Sequence, residues 1–62
     1  MQNEWYDLSI GVLVEIYSPL SMHHGYYAVI VSAPSTYGVY KVLIQEEMEE
    51  RSFAYGELER IN

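Results

Sequence analysis

A chain of 62 residues, half of them apolar or aromatic, has material for one hydrophobic core and one domain, and a chain of this size buries only about 60% of the surface its unfolded form exposes. The absence of cysteine excludes a disulfide framework and a thiolate metal site. Three Lys and Arg against nine Asp and Glu, a net charge of −6, disfavour direct phosphate binding, which depends on cations that displace counterions from nucleic acid.

The first nine residues read as an arm before the domain proper. Met1-Gln2-Asn3-Glu4 is polar and carries no basic segment, unlike a secretory signal. Glu4-Trp5-Tyr6-Asp7-Leu8 reads either as an extended arm or as a turn that folds back to plug one end of the fold. From Ser9 to Tyr17 the chain is β-branched and aromatic, and Val12, Val14 and Ile16 recur at period two, as one face of a strand requires. Ser18-Pro19 ends this strand, because proline has no amide hydrogen to give a ladder. Leu20 to His24 is a loop expected to turn one apolar residue inward, either Leu20 or Met22.

Gly25 opens a second strand, Tyr26 to Ser32, with apolar residues on both faces, as in a strand bent across a barrel. Ala28 and Ile30 are taken as its core face, with Val29 and Val31 as the alternative. Ala33-Pro34-Ser35-Thr36 is a turn. The third strand runs from Val39 to Gln45, with Tyr40, Val42 and Ile44 inward and Lys41 and Gln45 outward. Glu46-Glu47-Met48-Glu49-Glu50 is too short for a stable helix and reads as a hairpin loop. The fourth strand is Arg51 to Tyr55. A turn over Gly56 to Glu59, one turn of 3₁₀ helix, leads to a last strand at Arg60 to Asn62. The expected core is Ile10, Val12, Val14, Ile16, Ala28, Ile30, Tyr40, Val42, Ile44, Phe53, Leu58 and Ile61.

The order of these elements, with Gly11-Val12-Leu13-Val14, Ser18-Pro19, Gly25, Tyr40-Lys41-Val42 and Tyr55-Gly56-Glu57-Leu58-Glu59-Arg60-Ile61, resembles a Src-homology-3-like small β-barrel. It is similar to short bacteriophage proteins of that fold. The resemblance implies an all-β, five-stranded antiparallel barrel over residues 10–62. It implies no single activity, because this barrel serves peptide binding, nucleic-acid binding and subunit assembly alike.

Nine aromatic residues are more than a core of this size takes in. Tyrosine and tryptophan join a large apolar face to a polar handle and are enriched at interfaces. A protein-contact patch is therefore expected from Trp5, Tyr17, Tyr37 and one of Tyr26 and Tyr27, with Tyr26 taken as the outward member. The competing reading has these rings covering the ends of the barrel. The acidic run Glu46, Glu47, Glu49 and Glu50 either docks a basic partner or is a solvated hairpin tip. His23 and His24 are expected as solvated loop residues, because adjacent side chains on an extended segment point apart and chelate poorly.

No serine lies in a Gly-x-Ser-x-Gly turn, and so small a fold offers no deep cleft. The expectation is a non-catalytic protein without cofactor or metal, and without a membrane span. Its partner is a protein: a second copy of itself or a basic protein whose nucleic-acid groove it blocks as an acidic inhibitor. A nucleic-acid module ranks last. The expected location is the cytoplasm, that of the host if the chain is viral.

Overall fold

The computed structural model describes residues 8–61. Within them the chain is all-β: β1 (Leu13–Ile16), β2 (Tyr27–Ile30), β3 (Val39–Ile44), β4 (Glu49–Ala54), a 3₁₀ turn (Tyr55–Glu57) and β5 (Leu58–Arg60). Every pairing is antiparallel, and the strands form one sheet in the order β4-β3-β2-β1-β5. Among the described residues no helix is long and apolar enough to cross a membrane.

The sheet is open, with β4 and β5 as its edges, yet it is strongly curled. In a flat sheet of five strands the edge strands would lie ~19 Å apart. Here Ala54 ends one edge strand and Leu58 begins the other, a reach of at most ~14 Å even for an extended chain and less through a 3₁₀ turn. The edges must therefore approach each other. Curling also explains how one face of a single sheet hides itself: Val14, Ile16, Ala28, Ile30, Tyr40, Val42 and Ile44 are all wholly buried.

The period-two reading of β1, β2 and β3 holds, with Ala28 and Ile30 inward and Val29 and Val31 half-buried on the other side. Two expected core residues face out. Ile10 is 67% exposed because residues 9–12 form a turn, with the Val12 amide donating to the Ser9 carbonyl at 3.0 Å. Gly11 takes a φ of +96° there, which resets the alternation, and Leu8 enters the core in place of Ile10. Ile61 is 46% exposed because the register sets Leu58 opposite Ile16 and Arg60 opposite Val14. Leu58 and Arg60 thus share the inward side, and Ile61 falls on the outer one.

Boundaries shift for related reasons. The bonds between β1 and β2 run on past the strand ends, the Gly11 amide donating to the Ile30 carbonyl at 2.8 Å and the Gly25 amide to the Ile16 carbonyl at 2.7 Å. The expected loop at 46–50 is shorter: the Met48 amide donates to the Ile44 carbonyl at 2.7 Å, Met48 adopts a φ of 55°, and pairing resumes at once with Ile44 opposite Glu49. Glu49 and Glu50 are therefore strand residues. The 3₁₀ turn starts one residue earlier than expected, at Tyr55, and β5 starts at Leu58.

On β4 the register sets Glu49, Arg51 and Phe53 beside Ile44, Val42 and Tyr40. Phe53 is buried, while Glu49 and Arg51 pair with each other at 2.6 Å. Charges on the core-facing side of an edge strand oppose edge-to-edge pairing between molecules, which would bury them.

Candidate interaction surface

The outer face of the sheet is built row by row from the register. In one row Glu59 on β5 lies opposite Glu15 on β1, which lies opposite Tyr27 on β2. In the next, Leu13, Val29, Leu43 and Glu50 follow across β1, β2, β3 and β4. Ile61 extends this row, its amide donating to the Leu13 carbonyl at 2.9 Å. Leu13, Val29, Val31 and Leu43 are half-buried, whereas Tyr27 is 55% exposed. The outer face thus carries an aliphatic stripe bordered by Tyr27, Glu15 and Glu59 on one side and by Lys41 and Ser52, opposite each other, on the other side.

At one end of the sheet two connections meet. The β1–β2 loop and the β3–β4 turn are joined by His23, whose Nε2 lies 3.1 Å from Glu47 Oε1. His23 is buried, contrary to the expected solvated residue. Its ring meets Tyr26 edge-on with centroids 5.6 Å apart and Phe53 at 6.3 Å. It fills the inward position expected of Leu20 or Met22, and both of those side chains are exposed. The Ser21 hydroxyl accepts from the His23 amide at 3.0 Å, and His24 Nδ1 accepts from the Ser18 amide at 3.0 Å. Each bond uses a backbone donor that the turn would otherwise leave idle.

Glu57 fastens the loop to the turn before β5. Its carboxylate accepts from the Ala54 amide and from the Ser18 hydroxyl, each at 2.9 Å, and its carbonyl accepts from the Tyr17 amide at 2.7 Å. Hydrogen bonds to a charged group contribute about 1.5–3 kcal/mol when sheltered, and less when water competes. Glu57→Ala is therefore expected to cost about 1–2 kcal/mol, read as a lower midpoint of urea unfolding. Ser18→Ala should cost less, since it removes one bond and leaves the Ala54 amide capped. Equal costs would show that the cap contributes nothing.

The expected contact residues divide between the two ends. Tyr17 is exposed beside His24, with ring centroids 5.2 Å apart. Tyr17 and Tyr27 lie toward the end that carries the exposed Glu46, Glu47, Glu49 and Glu50. The outward member of the tyrosine pair is Tyr27, because Tyr26 packs partly buried against the core. Tyr37 is highly exposed but sits in the β2–β3 connection, at the opposite end. Trp5 lies outside the described residues. Sequence reasoning missed the outer stripe of Val29, Val31 and Leu43. Its signal was present in the second strand, where both alternating sets are apolar. No family model, no curated protein and no solved structure matches the chain.

Proposed function

We propose that this chain is a non-catalytic protein-binding module that works through the outer face of its sheet, and that the curled sheet completes a small Src-homology-3-like barrel of the phage type. One observation carries the reading: Tyr27 stands exposed beside a registered aliphatic row of Val29 and Leu43 on a face that no second layer covers among the described residues. Ordinary outer faces of small antiparallel sheets alternate to polar residues. Contiguous apolar surface bordered by polar groups marks a contact site. Self-association through this face, as a homo-oligomer in the cytoplasm, and capture of a different protein are two forms of the same function.

A photo-crosslinking phenylalanine at position 27 is expected to trap a protein in the native cell, either a second copy or a partner. The same residue at position 37, more exposed than position 27 but at the other end, is expected to trap much less. Equal trapping at both positions would refute the outer face as the binding surface.

A further inference from the structure

The outer face carries a charge pattern that selects among partners. Glu15 and Glu59 are directly opposite on neighbouring strands, a separation of roughly 4.5–5.5 Å between backbones at which like charges are destabilising. Among the described residues neither carboxylate has a hydrogen-bond or ion-pair partner. Glu15 also lies opposite the exposed Tyr27 ring. Glu50 adds a third carboxylate across from Leu43, and the base on this face is Lys41. The register turns Arg51 and Arg60 toward the other side.

Resting on the reading of this face as a protein-binding surface, we propose that it recognises a cationic, apolar-flanked segment of a basic protein. A lysine or arginine of that segment places its charged head between Glu15 and Glu59 and its stem along Tyr27. Neighbouring apolar side chains cover Val29 and Leu43. A cation there relieves the repulsion of the paired carboxylates, while its apolar stem packs along the exposed Tyr27 side chain. A second copy fits poorly: a two-fold contact would bring three carboxylates with a single lysine against the same set, and juxtaposed like charge opposes association.

The test is an NMR titration of the full chain with two synthetic peptides of about twelve residues. One alternates Lys or Arg with Val or Thr, and the other carries Glu at every charged position. The cationic peptide is expected to shift the signals of Tyr27, Val29, Leu43, Glu15 and Glu59, and to bind more weakly as salt is raised. The double variant Glu15→Gln, Glu59→Gln is expected to weaken that binding about tenfold, while its own thermal midpoint stays equal or rises. That combination separates lost recognition from lost folding.

Perturbation of this face by both peptides alike, or a salt-resistant dimer through it in sedimentation, would overturn the basic partner and leave the binding surface standing. Shifts confined to Glu46–Glu50 would overturn the assignment to Glu15 and Glu59. A monomer whose outer face responds to neither peptide would overturn the proposal together with the reading beneath it.

Discussion

Ile30→Ala is expected to cost about 2–5 kcal/mol, the range for truncating a wholly buried aliphatic residue, whereas Val29→Ala one position earlier should cost less than about 1 kcal/mol. The two side chains lie on opposite faces of the same short strand. Ile30 is wholly buried opposite Val42. Truncating it removes contacts from β1 and β3 and leaves a void at the centre of the curl. Val29 is half-buried among Leu13 and Leu43 on the outer face, where water refills the space. Domains gain only about 0.05–0.15 kcal/mol per residue, so a chain of this length has little reserve. Ile30→Ala should therefore be partly unfolded at 37 °C. The check is the midpoint of urea unfolding for each variant. Equal destabilisation by the two would mean that the sheet has no single core face.

The same pair shows what was legible in the sequence. Val12, Val14 and Ile16 in the first strand, and Tyr40, Val42 and Ile44 in the third, alternate with sets that include Glu15 in the first and Lys41 and Gln45 in the third, and those polar members mark the outward face. In the second strand Ala28 and Ile30 compete with Val29 and Val31, and alternation alone does not separate them. That ambiguity arises because the outer face is itself apolar, which is the property that makes it a candidate for binding. Ile10 and Ile61 were misplaced for a different reason. A glycine at positive φ and a 3₁₀ turn each reset the phase of alternation, and such resets depend on backbone geometry that residue types only weakly encode. The early restart of β4 belongs with them: a methionine in the left-handed region is a conformation that glycine or asparagine would ordinarily announce.

The largest feature that sequence reasoning could not supply is His23, and its removal should be felt well beyond its loop. His23→Ala is expected to destabilise by about 2–4 kcal/mol, below the range for Phe→Ala in a core because the ring is smaller. Its edge-on contacts with Tyr26 and Phe53 would be lost, and with them the link from the β1–β2 loop to the β3–β4 turn. Glu47→Gln should cost less than about 1 kcal/mol, since the Glu47 side chain keeps about a third of its surface exposed and an amide in its place can still bond the His23 ring. His23→Phe should recover most of the loss if ring packing dominates, and little if the bond to Glu47 does. The coupling between positions 23 and 47 in a double-mutant cycle separates those two terms. Tyr26, against which the ring packs, precedes Tyr27, so a loosened His23 should also free the start of β2. Hydrogen exchange at the Tyr26 and Gly25 amides, which donate to the His23 and Ile16 carbonyls, is expected to quicken in His23→Ala well before the amide of Ile30 does. Uniform acceleration across the sheet would instead mean that the loop and the core unfold as one unit, and that His23 pins nothing by itself.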